Sequence, residues 1–100
     1  MANSKIQVWV EVAFFKEKQM ARKTFPNLEN RIYQPHFVVK GTKEYLGVCF
    51  VTGNIVELGE KTTAIIEMIY DNVDYSLLFK ADKEFYITEG ANIVGQGKVI

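Results

Sequence analysis

Phe85-Tyr86-Ile87-Thr88-Glu89-Gly90-Ala91-Asn92-Ile93-Val94-Gly95-Gln96-Gly97-Lys98-Val99-Ile100 is the stretch whose reading decides the fold. Phe85 and Ile87 alternate with Tyr86 and Thr88, the period-two signature of a strand. Glu89 to Asn92 forms a turn around Gly90, and Ile93 to Ile100 reads as a second strand. Gly95 and Gly97 lie two apart, so their side-chain positions share one face of that second arm. Glycine on a strand face marks a bend, a bulge or the close approach of another backbone. Such a hairpin suits a small closed barrel, whose strands must curve sharply.

The rest of the chain carries the same signals. Lys5 to Phe15 places Ile6, Val8, Val10, Val12 and Phe14 on one face, expected inward, and Gln7, Trp9, Glu11, Ala13 and Phe15 on the other. Ile32 to Lys40 reads as a second strand broken early by Pro35, which lacks the ladder N–H and belongs at an edge or bulge. Tyr45 to Thr52 is a third strand, expected to pair with the second as a hairpin. Thr62 to Tyr70 is a fourth, with Ala64, Ile66 and Met68 sharing a face. Asp71 to Lys83 is acidic and less regular; Leu77, Leu78 and Phe79 are expected to plug one barrel end. Short strands with turn signals between them predict an all-β fold, a barrel or sandwich.

The chain has 100 residues, enough for one domain that folds without staples. The first four residues are expected to be a flexible N-terminus. One cysteine, Cys49, excludes an intramolecular disulfide and agrees with a reducing compartment. With no apolar leader and no apolar run of membrane-spanning length, a cytoplasmic location and no membrane contact are expected. The net charge is zero but unevenly placed: residues 1–50 carry eight Lys/Arg and four Asp/Glu (+4), residues 51–100 four and eight (−4). A neutral domain lacks the global field for tight nonspecific nucleic-acid binding, so any such contact requires a local patch.

The closing stretch resembles the end of elongation factor Tu and its relatives, the translational GTPases that carry aminoacyl-tRNA. Their C-terminal barrel closes with Phe-x-Ile-Arg-Glu-Gly-Gly-x-x-Val-Gly-x-Gly-x-Val; here Phe85, Ile87, Glu89, Gly90, Val94, Gly95, Gly97 and Val99 match. Thr88 and Ala91 stand where the family has arginine and a second glycine. Tyr33-Gln34-Pro35-His36-Phe37 is similar to the family's Tyr-Arg-Pro-Gln-Phe. The resemblance runs from about Lys5 to Ile100 and selects a small closed antiparallel, Greek-key-like β-barrel. The family's GTPase domain and second barrel have no counterpart in these residues, so a stand-alone domain without GTPase activity is expected.

The resemblance also points to tRNA-contact positions. Gln34 replaces the arginine before proline, His36 the glutamine after it, Tyr70 a lysine ending the fourth strand, and Thr88 the arginine of the last hairpin. Gly90 keeps the family residue. Three cations are lost, and losing three phosphate contacts weakens binding by orders of magnitude. The implied fold is retained while the implied tRNA grip is not.

Motifs that suggest chemistry dissolve on inspection. Gly53 to Thr62 looks like a phosphate loop, but the glycine spacing is one residue too long, Glu60 precedes Lys61, and a strand pattern follows where a helix is needed. Gly95-Gln96-Gly97 cannot open a dinucleotide-binding helix with three residues remaining. His36 and Cys49 lie on neighbouring predicted strands, but Cys49 sits in an apolar run, and one His with one Cys cannot close a zinc site. No cofactor, metal, nucleotide or catalytic activity is expected.

The long connection from Lys16 to Arg31 holds Lys16, Lys18, Arg22, Lys23 and Arg31 against Glu17 and Glu29. It reads either as a solvated face or as a patch for phosphate or an acidic protein surface. Trp9, Phe15, Tyr33 and Tyr45 are core or rim residues that could add stacking surface. The expected function is a non-catalytic binding module whose candidate contact residues are Lys16, Lys18, Arg22, Lys23, Arg31, Gln34, His36, Tyr70, Thr88 and Gly90. A protein partner is expected first and weak RNA or tRNA contact second. The alternative is a mimic that competes for the factor's own partners.

Overall fold

Alternation of branched aliphatics produces six strands in a computed structural model, which describes residues 6–16 and 24–100. They are β1 (Gln7–Phe14), β2 (His36–Val39), β3 (Leu46–Gly53), β4 (Thr62–Met68), β5 (Glu84–Glu89) and β6 (Asn92–Val99). A 3-10 helix, Ser76–Phe79, stands between β4 and β5. The order around the sheet is β1-β4-β3-β2-β5-β6, and β6 pairs back onto β1, so the barrel is closed with every pair antiparallel. The run β4-β3-β2 is joined by hairpins while β1 returns beside β4, a Greek-key connection.

Val10, Val12 and Phe14 of β1 face inward and are buried, as the alternation predicts, together with Phe37, Val39, Val48, Phe50, Ala64, Ile66, Phe85 and Ile87. Each large apolar side chain taken from water adds about 1.5–3 kcal/mol, so these positions supply the main driving force. Phe37 stacks on Phe85 at 4.0 Å, and Phe50 meets Phe37 edge-on at 5.9 Å. Leu28 enters from the β1–β2 connection against Gly53 and Ala64 at the start of β4. Leu78, fully buried, enters from the connection that leaves the other end of β4. The expected plug is therefore Leu78 with half-buried Leu77, while Phe79 remains half exposed.

The two glycines of β6 let the barrel close. Gly95 lies opposite Ile87 and Phe14, and Gly97 opposite Phe85 and Val12. A Cβ on Gly95 would lie 2.5 Å from the Ala13 carbonyl oxygen, and one on Gly97 would collide with the carbonyl oxygen of Glu11. The large residues of β5 and β1 occupy the space the glycines leave, a small-against-large match that fits the curvature. One extra residue, Val94, bulges between the Gly95 and Ile93 pairs, and Val51 does the same in β3.

The second strand is shorter than Ile32 to Lys40. Its ladder starts at His36 because Pro35 has no N–H to donate. The carbonyls of Tyr33 and Pro35 still accept from Phe50 N (3.0 Å) and Val48 N (3.1 Å), so this segment follows β3 without being a regular strand. The turn that feeds it, Asn30-Arg31, holds two successive non-glycine residues in the left-handed region, at φ +62° and +59°.

Candidate partner-binding surface

Residues that alternate outward from β5, β2 and β3 form one continuous strip. Thr88 pairs with His36, and His36 pairs with Gly47. The Thr88 hydroxyl donates to the His36 carbonyl at 3.3 Å, and Thr88 is almost fully buried, so the surface there is presented by its neighbours. The His36 ring is met edge-on by Tyr45 at 5.9 Å. Gly47 continues the strip toward the residues after β4, where Ile69 N donates to the Gly47 carbonyl at 3.4 Å.

Gly47 is a seat for a ring. Its backbone is not left-handed; a Cβ would strike Cε2 of Tyr70 and come within 3.1 Å of Cδ2. The Tyr70 ring thus lies against the β3 backbone while about half of the residue stays open to solvent. Behind it, Tyr75 Oη donates to the Gly47 carbonyl at 2.5 Å and accepts from Tyr70 N at 3.3 Å. One buried phenol therefore ties β3 to the segment after β4 and fixes the Tyr70 backbone.

A second cluster lies on the outward face of β1, β4 and β3. Gln7 pairs with Glu67, and Glu67 with Cys49. Glu67 faces outward yet is buried, because Arg31 covers it. Arg31 Nε and Nη2 donate to the two carboxylate oxygens at 3.0 and 2.8 Å, and Gln7 Nε2 donates at 2.8 Å. The hydrogen bonds that Arg31 makes to Glu67, and next the carboxylate charge, raise the Arg31 pKa above its ordinary value. A carboxylate removed from water is costly unless it is paired in this way. Arg31 thus has an intramolecular partner in this state, whatever else it meets.

The sequence-predicted contact residues separate accordingly. His36, Thr88 and Tyr70 meet through Gly47, with Gly90 in the β5–β6 turn at φ +61° and Gln34 two residues before His36. The Gln34 side-chain amide donates to the Arg31 carbonyl at 3.1 Å. Lys16 stands at the exit of β1 beside Gly59, away from the His36 strip in strand order. Lys18, Arg22 and Lys23 lie outside the described residues, as do Met1 to Lys5. Thr62, the last residue of the phosphate-loop look-alike, opens strand β4 where a helix would be needed.

Two contributors were not among the predicted contact residues. Tyr45, which the sequence places among core or rim residues with stacking surface, is the exposed ring against His36. The seat at Gly47 was also missed, although glycine within an apolar strand signals close approach. No family model matches the chain, and no curated protein does.

Proposed function

We propose that this chain is a non-catalytic binding module for a protein partner, contacting it through the outer face around His36, Tyr45 and Tyr70. The observation that carries this reading is the pair of half-exposed tyrosines, 52% and 50% accessible, at either side of the His36–Gly47 strip. A tyrosine ring offers a large amphipathic contact area, and tyrosine is enriched where interfaces concentrate their energy. We also propose kinship with the C-terminal barrel of elongation factor Tu. The matching closing hairpin supports it, with Gly95 and Gly97 packed under Ile87 and Phe85 and Gly90 at a left-handed turn. Against a tRNA grip stand neutral Gln34 and Tyr70 and buried Thr88 at the family's contact positions. Weak RNA contact, if present, would run through Lys16, Lys18, Arg22 and Lys23.

The test is a photocrosslinking amino acid placed at Tyr45 or, as a control on the outward face of β6, at Lys98. Irradiation in lysate followed by nuclease treatment should leave a protein adduct from position 45 and none from position 98. An adduct that nuclease removes, or equal labelling from both positions, overturns the reading. A protein adduct displaced by excess tRNA would favour the mimic instead.

A further inference from the structure

Beyond Tyr70 the strip opens into a groove of about 350 Å³. Its walls are Ile6 from the chain entering β1, Tyr70 after β4, and Tyr75 and Phe79 from the connection to β5. Ile6, Tyr70 and Phe79 are each about half exposed, so the groove is open and apolar. The charged residues among its described lining are Asp71 and Asp74, both exposed at the rim. A groove of this volume is within the range that holds a ligand or a long side chain.

From this groove we infer that the protein partner inserts a basic side chain, an arginine or lysine flanked by aliphatic residues in an extended segment, between Tyr70 and Phe79. The aliphatic neighbours would cover Ile6 and the rings, and the cationic head would reach Asp71 and Asp74. Aromatic faces attract a cation through their quadrupole, more so as water is excluded, and both carboxylates reinforce that sign. The same carboxylates repel phosphate, so the charge complements a basic protein segment and opposes RNA. The backbone under the groove is tied, with Tyr75 joining the Gly47 carbonyl to Tyr70 N, and the Asp74 carboxylate is oriented by Ser76 N, which donates to its Oδ1 at 2.9 Å. Orienting these groups beforehand lowers the ordering cost of binding.

A different cleft of about 230 Å³, beside Gln96 and Gly97, has the opposite polarity. Lys40 reaches Glu84 at 3.1 Å and Lys61 reaches Glu11 at 4.0 Å, and Lys98 adds a third cation to these two pairs.

This inference rests on the protein-binding reading and supplies the chemistry of the partner. The probes are the peptides Ac-Val-Arg-Val-Lys-Val-amide and Ac-Val-Glu-Val-Glu-Val-amide, titrated into the full ¹⁵N-labelled chain and followed by amide chemical shifts. The basic peptide should move the amides of Ile6 and of residues 70–79, and the acidic peptide should not. Asp71→Asn with Asp74→Asn should weaken the basic peptide by roughly five- to ten-fold, as exposed charge pairs allow, with the remaining spectrum unchanged. Added salt should weaken the wild-type complex and hardly affect the variant. Equal shifts from both peptides, shifts elsewhere on the barrel, or silence to millimolar peptide would overturn the inference. A silent groove beside a protein adduct at position 45 rejects the basic anchor alone; a silent groove beside a nuclease-sensitive adduct rejects the protein-binding reading as well.

Discussion

Arg31 grips Glu67 through two parallel hydrogen bonds, 3.0 and 2.8 Å, across 36 residues of sequence, while its own backbone is held at φ +59°. A long side chain with left-handed backbone is uncommon and costs free energy relative to the ordinary helical or extended wells. The fork on a buried carboxylate is what keeps the turn there, and the turn in turn delivers Tyr33, Pro35 and His36 to the edge of β3.

The pair predicts an asymmetry. Arg31→Met leaves the Glu67 charge buried without its guanidinium, and should lower the urea midpoint clearly. Arg31→Met combined with Glu67→Met removes both charges and should recover much of that loss, because an apolar replacement of a buried pair is often neutral. Equilibrium urea unfolding of the single and double variants checks this. Two single losses that simply add would show that the pair does not act as a unit.

Gly97→Val should destabilise the barrel by about 1–3 kcal/mol or more, the usual range for overpacking. The added Cβ meets the carbonyl of Glu11 on the paired strand, and main chain cannot step aside as a side-chain tip can. Gly47→Ala is the contrast. Its new methyl meets the half-exposed ring of Tyr70, which can swing away, so stability should hardly change while the proposed partner surface is disturbed. Denaturation midpoints for both variants, with the position-45 crosslink repeated on Gly47→Ala, separate the two roles.

Tyr75→Phe removes the phenol that bridges the Gly47 carbonyl and Tyr70 N. Tyr75 is buried, so the loss should be about 1–3 kcal/mol, the cost of leaving a buried polar group unsatisfied. Hydrogen exchange should quicken first at Ile69 and Tyr70, whose amides depend on that junction.

Cys49 is only 6% accessible, on the outward face of β3 beside Glu67. A thiol reagent should label it slowly in the folded chain and rapidly in denaturant, because reaction needs an exposed thiolate. Equal rates in the two states would show that this face opens readily.

Asp74 sets a pH dependence. The N–H of Ser76, and then its hydroxyl, hold the Asp74 carboxylate below its ordinary value of 3.8. A depressed folded value means the stabilisation is present above the unfolded value and is lost as pH falls below about 3.8 toward the lower folded one. The stability difference between wild type and Asp74→Asn should therefore be steady near neutrality and shrink through that acidic window. A difference that grows as the solution is acidified would reverse the assignment.

Much of the architecture was legible because one face of each strand is buried. Val10, Val12 and Phe14, or Phe85 and Ile87, advertise inward positions by alternation alone, and the glycine pair in β6 announced the curvature. The covered outward positions were not legible. Glu67 and Thr88 take outward positions by alternation yet are buried, since period two says which side a residue takes but not whether it is covered there. The contact strip was half legible: His36, Thr88 and Tyr70 were named separately, but strand register and the Gly47 seat are what bring them together. The partial start of β2 followed from Pro35, whose ring both removes a donor and leaves the neighbouring carbonyls able to accept.

Closure of β6 onto β1 has a consequence for how any partner can be recruited. A sheet with free margins can take on a foreign strand and bind it through main-chain hydrogen bonds, largely indifferent to its side chains. A ring of six strands offers no such margin along its closed ladders, which also guards against fusion of one barrel with the next. Selectivity must then be written in side chains on the outer wall. Exchanging a few of them, at positions such as Tyr45 or Tyr70, would change what the proposed surface can hold while the ladder beneath stays as it is.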